Sequence, residues 1–85
     1  MYLHAGGNVV VRDKDIIGIF DIDNMNTEET MKDFLRRAER NGKTRIAGDN
    51  LPKSFILLME DGKEGVVFSQ ISAHSLIKRI EFREM

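Results

Sequence analysis

Phe55-Ile56-Leu57-Leu58-Met59, then Glu60-Asp61-Gly62-Lys63, then Val66-Val67-Phe68: this stretch decides the fold. Two apolar runs of strand length flank a turn, and Gly62 supplies the positive φ that a tight hairpin demands. Neither run alternates apolar with polar residues. A strand with one wet face alternates, whereas a strand that does not is usually covered on both faces. Val9-Val10-Val11 and Ile16-Ile17-Gly18-Ile19-Phe20 have the same character. A chain of 85 residues has little material to cover two faces of a sheet. Two readings follow. Either some outward apolar residues simply face water, or other copies of the chain cover the second face; the second is our expectation.

Upstream, residues 2–5, 9–12 and 16–22 read as a β-meander, joined by Gly6-Gly7-Asn8 and by the charged connection Arg12-Asp13-Lys14-Asp15. Gly18 inside the third strand signals a bulge or a close backbone approach. A helix begins near Thr27. Asn26 can cap it, Glu29 stands where a capping box places its carboxylate, and Met31, Phe34, Leu35 and Ala38 form one apolar stripe. Asn41-Gly42 supplies the left-handed stop. Residues 43–46 are a short strand or an irregular link, Gly48-Asp49-Asn50 turns, and Pro52 fixes an extended entry to the hairpin. After the hairpin, Ser72 caps a last helix with apolar Ala73, Leu76, Ile77 and Ile80. Residues 79–82 also alternate, which admits a helix ending by Arg79 and an extended tail. The expected fold is α+β: a small, mostly antiparallel sheet of N-terminal meander plus C-terminal hairpin, with one central and one C-terminal helix, in a single domain spanning residues 1–85.

Composition narrows the function classes. Without cysteine there is no disulfide framework and no thiolate metal site. No charged-then-apolar leader opens the chain, and no apolar stretch approaches the roughly 20 residues of a membrane span. The expectation is a soluble cytoplasmic protein with no membrane partner. The net charge of −1 argues against a general polyanion binder. Its distribution is polar, however. Residues 13–31 hold six acids and one base; residues 32–53 hold seven bases (Lys32, Arg36, Arg37, Arg40, Lys43, Arg45, Lys53) and three acids. One basic surface, repeated by self-association, would multiply weak phosphate contacts.

Catalytic patterns are missing. Asp21 and Asp23 lie on one side of a strand end, where paired carboxylates usually serve turns and caps. His4 and His74 have no neighbour at ligand spacing. Ser54, Ser69, Ser72 and Ser75 lack a nucleophile elbow, and Gly6-Gly7 lacks a phosphate-loop continuation. We expect no enzyme, metal, cofactor or small-molecule substrate. The basic residues carry the functional chemistry. Arg36, Arg37 and Arg40 share one helical surface that either meets phosphates or is a solvated face complementing the helix dipole. Lys14 and Lys53 sit in loops at strand ends, where recognition residues commonly lie. Phe20, Phe34, Phe55, Phe68 and Phe82 fall on core-facing positions, which argues against a stacking platform for single strands.

Met1-Tyr2-Leu3-His4, Val9-Val10-Val11 followed by Asp15-Ile16-Ile17-Gly18-Ile19-Phe20-Asp21, Pro52-Lys53-Ser54, and Ser72-Ala73-His74-Ser75-Leu76-Ile77-Lys78-Arg79 together resemble the RemA/RemB family of extracellular matrix regulators. The similarity covers nearly the whole chain. It implies a cytoplasmic regulator of biofilm matrix genes in Gram-positive bacteria. The RemA branch implies a DNA-binding activator assembled into rings that present arginines to the duplex. Lys14 stands where that branch has an arginine, keeping charge without the bidentate fork. Leu51-Pro52 stand where it has an arginine pair, with only Lys53 basic beside them. The expectation is a ring-type homo-oligomer that binds double-stranded DNA. Arg12, Lys14 and Lys53 contact phosphates, helped by Arg36, Arg37, Arg40, Lys43 and Arg45, and specificity comes from DNA shape. The alternative is an oligomeric protein-interaction adaptor that regulates without touching DNA.

Overall fold

The central hairpin forms as its sequence demands. In the computed structural model, which describes residues 2–22, 29–49 and 51–84, β5 (Ser54–Glu60) pairs antiparallel with β6 (Lys63–Ser69), Ser54 opposite Ser69 and Glu60 opposite Lys63. The turn residues Asp61 and Gly62 both take positive φ, 51° and 80°, the geometry of a two-residue hairpin.

The N-terminal strands do not make a meander. β1 (Tyr2–Gly6) and β2 (Val9–Arg12) pair only with each other. β3 (Ile16–Asp21) instead joins β5, antiparallel, with Asp21 opposite Ser54 and Ile16 opposite Leu58. This corrects the expected single sheet: the described strands form a two-stranded and a four-stranded sheet, the latter in the order β3-β5-β6-β4. The physical reason lies in the connection. Asp13–Asp15 form a 3-10 turn rather than a hairpin loop, and the buried Asp15 accepts a hydrogen bond from Arg12 Nε at 2.7 Å. That turn sends β3 away from β2 and onto β5, where the Phe20 ring stacks on Phe55 with centroids 5.1 Å apart. The register slips between Ile16 and Gly18, which is the bulge that the glycine signals. β4 (Thr44–Ala47) pairs parallel with β6, so residues 43–46 contribute a strand.

Both faces of β5–β6 are covered by this same chain, which corrects the expectation that sister copies must supply the second cover. On one face, Ile56, Leu58, Val67 and Ala47 pack with Leu3, Ala5 and Val11 of the small sheet and Leu76 of α2 (Ala73–Glu84). On the other, Phe55 and Val66 lie under Ala38, Phe34, Leu35 and Met31 of α1 (Glu29–Arg40). Phe55, Ile56 and Val67 are fully buried, each burial stabilising by roughly 1.5–3 kcal/mol. The small sheet and two helices suffice because only two strands need double cover. Apolar side chains are left exposed at the flanks, among them Phe20, Ile17, Ile46 and Leu51. Phe20 is thus less enclosed than its pattern suggests.

Buried Ser69 locks the small sheet onto the large one, and buried Ser54 ties the start of β5 to the segment before α2. Ser69 Oγ donates to the Ala5 carbonyl at 2.6 Å and accepts from Ile71 N–H at 3.0 Å, while Ser54 Oγ donates to the Ile71 carbonyl at 2.7 Å. Beside them the β1–β2 turn packs on Gly48: a Cβ on Gly7, at φ +53°, would stand 2.9 Å from the Gly48 nitrogen. α2 begins as expected, with Ser72 Oγ accepting Ser75 N–H at 3.2 Å. It continues to Glu84 rather than stopping at Arg79. The expected Asn26 cap of α1 falls outside the described residues. Among the described residues no helix is long and apolar enough to cross a membrane.

Candidate nucleic-acid interface

The basic end of α1 is held in place by backbone bonds. Asn41 N–H donates to the Arg37 carbonyl at 3.0 Å, Gly42 N–H to Glu39 at 3.1 Å, and Lys43 N–H to Ala38 at 2.9 Å. Gly42 takes the left-handed φ of +69° that this termination needs. The Lys43 carbonyl then accepts Val66 N–H at 2.9 Å, so the helix end is stitched to β6. Arg37 and Arg40 lie in the last turn, where cations complement the carbonyl end of the helix. With Lys43 they are exposed, and none of the three has an ion-pair partner among the described residues.

The other candidate cations differ in how free they are. Arg36 is bound to Asp33, one helical turn earlier, at 3.0 Å. Arg45 reaches from β4 to Glu60 at 3.3 Å. It passes the place where Gly65 carries no side chain: a Cβ there would lie 3.7 Å from Glu60 Oε1. Arg12 bridges the 3-10 turn to the β5–β6 turn, at 2.7 Å from Asp15 and 3.8 Å from Asp61. The hydrogen bond to Asp15, then the charge of the same carboxylate, hold the Arg12 guanidinium above its ordinary pKa. A guanidinium so engaged fixes a turn first, and its phosphate-binding capacity is largely spent.

Lys14 and Lys53 are both exposed, yet the fold keeps them apart. Lys14 sits in the 3-10 turn beside the β5–β6 turn end of the sheet. Lys53 sits at the other end, where its N–H donates to the Ser69 carbonyl and its carbonyl accepts Ile22 N–H. Between them runs β5, seven residues long and so about 20 Å. The structure therefore brings together Arg36, Arg37, Arg40 and Lys43. It holds Lys14 and Lys53 at opposite ends, and it engages Arg12 and Arg45 in ion pairs.

Some of the residues weighed for catalysis have structural partners. Asp21 Oδ1 accepts Ala73 N–H at 3.4 Å, a carboxylate at the start of α2; Asp23 falls outside the described residues. His4 Nε2 bonds the Gly7 carbonyl at 2.9 Å. Among the described residues no three His, Asp or Glu side chains gather as a metal site. Sequence reasoning missed the Ser54–Ser69 lock and the Arg12–Asp15–Asp61 bridge. The second had a signal, Arg12 and Asp15 being three residues apart at a turn. The first had only the placement of a serine at the end of each hairpin strand.

No protein-family model matches the chain. A curated relative named extracellular matrix regulatory protein B, from Bacillus subtilis (strain 168), is 30% identical over 82 residues, covering 96% of this chain and 93% of the relative.

Proposed function

This chain belongs to the family of extracellular matrix regulatory protein B, and from that premise we propose that it regulates extracellular matrix genes by binding duplex DNA as a ring-type homo-oligomer in the cytoplasm. One observation carries the DNA part: Arg37, Arg40 and Lys43 form a contiguous exposed cation cluster with no carboxylate among the described residues bound to it. Phosphate binding needs such unsatisfied cations, because a cation already paired releases little by exchanging one anion for another. Lys14 and Lys53 add outlying contacts at the two ends of the sheet. In this reading the contacts position the duplex and its deformability selects sites.

Self-association would serve the same reading. A single copy with net charge −1 has a weak pull on DNA, and several copies on one duplex raise the effective concentration of each cation cluster. Ile46, 68% exposed on edge strand β4, and Leu51, 87% exposed in the following loop, are apolar surface that an interface between copies would cover. The experiment is fluorescence anisotropy with a promoter-length duplex at low and moderate salt, paired with solution mass by light scattering. Salt-dependent binding by a species of several chains supports the proposal. No binding at low salt turns the assignment toward a protein-interaction adaptor, and a monomer that binds DNA removes the assembly from it.

A further inference from the structure

Three charged side chains gather around one cleft, and none has a partner among the described residues. The cleft, of about 200 Å³, opens between the C-terminal half of α1 and the start of β6. Phe34, Ala38 and Val66 make its apolar part; Arg37 and Lys43 stand on its rim with Glu64. The three rim charges are exposed, and no ion pair or side-chain hydrogen bond engages them among the described residues. The walls are set in advance by the backbone bonds that tie Lys43 to Ala38 and to Val66, 2.9 Å each.

This combination rejects simple ligands. A bare cation meets two like charges, a bare anion meets Glu64, and an apolar molecule leaves three charges unused. A compact molecule with a carboxylate, an ammonium and an apolar stem uses all of them. The volume equals about seven waters at roughly 30 Å³ each. That is smaller than the roughly 300–1,000 Å³ of a drug-sized pocket, and it suits a single amino acid rather than a nucleotide. We propose that this cleft binds a free apolar α-amino acid, its carboxylate on Arg37 and Lys43, its ammonium toward Glu64 and its side chain against the partly exposed Phe34.

Arg37 and Lys43 also belong to the proposed DNA surface, so the test is made on the full chain without DNA. L-Leucine is titrated into isotope-labelled protein and backbone amide shifts are followed by NMR. Saturable shifts should appear at Ala38, Asn41, Lys43, Gly65 and Val66. Glu64→Gln should weaken L-leucine about fivefold, the scale of one solvent-facing charge pair, and leave N-acetyl-L-leucine, which has no ammonium, unchanged. Arg37→Gln should weaken both. No saturable shift with L-leucine or L-phenylalanine at millimolar concentration overturns the proposal. So does an affinity for L-leucine that Glu64→Gln leaves intact.

Discussion

Replacing Arg37, Arg40 and Lys43 together by glutamine tests the DNA surface at its most exposed point. All three are free of ion pairs among the described residues, and their side chains leave the fold through solvent, so the change removes charge with little loss of packing. If each meets one phosphate, the slope of log affinity against log salt falls by about 0.9 per contact, or about 2.7 for the three. Between about 50 and 200 mM salt, that slope difference amounts to roughly a fortyfold smaller loss of affinity than the parent protein shows. The matched control is Arg36→Gln with Arg45→Gln, whose guanidiniums are held by Asp33 at 3.0 Å and Glu60 at 3.3 Å. Those substitutions free a carboxylate for every cation they remove, and the phosphate-counting slope should change by well under one unit per site. Anisotropy titrations across a salt series measure both, with light scattering confirming equal assembly. A triple variant with the parent slope, or a control pair that loses as much slope as the triple, refutes the idea that unpaired cations define the interface.

The remaining expectations concern the same fold and surface. Lys14→Ala with Lys53→Ala lowers the salt slope by about 1.8 if one assembly engages DNA through both ends of its sheets; an unchanged slope removes both lysines from the interface. Ser69→Ala leaves the Ala5 carbonyl and Ile71 N–H without their buried partner and costs about 1–3 kcal/mol in urea unfolding; a midpoint equal to that of the parent shows that the lock is dispensable. Gly7→Ala forces a Cβ into left-handed backbone against Gly48, costing about 1–2 kcal/mol by conformation alone and read as a lower melting temperature. Ile46→Glu with Leu51→Glu shifts the light-scattering mass toward one chain without lowering helix content by circular dichroism; an unchanged mass places the contact between copies elsewhere.

The elements were legible because each is written in local chemistry. The hairpin turn carries Asp61-Gly62, α1 ends on Asn41-Gly42, and α2 starts on Ser72, and all three take the geometry that their residue types favour. What was not legible is which strand joins which. Residues 9–12 and 16–22 are adjacent and both apolar, so a meander is the economical inference. It fails because Asp15 spends its charge on Arg12 inside a 3-10 turn, an event set by a buried contact. The unbroken apolar runs of β5–β6 do signal a need for cover on both faces, but not that the cover comes from the same chain. Leu3, Ala5 and Val11 provide it through a packing of one sheet on another that no periodicity announces. At the candidate interface, residue type identified the cations, whereas their availability depended on partners distant in sequence, such as Glu60 for Arg45 across β6.

Those partners also bear on how a chain of net charge −1 would offer a face to an anion. Formal charge counts every acid equally, but many acids here are already engaged. Asp15 is buried against Arg12, Asp21 caps α2, Asp33 holds Arg36, and Glu29 lies 3.8 Å from Lys32. Among the described residues of 13–31, Asp15, Asp21 and Glu29 are thus engaged by a cation or by a helix start. The cations of α1's last turn and of Lys43 are not neutralised in the same way. Coulomb attraction falls off over roughly 8 Å at physiological salt, so a phosphate near Arg37, Arg40 and Lys43 responds to those three and to their neighbours Asp33, Arg36, Glu39 and Glu64. Neutralising distant carboxylates should accordingly do little, whereas Glu64→Gln should strengthen duplex binding at low salt, and a weakened affinity in that variant would show that the field at this end of α1 does not govern the contact.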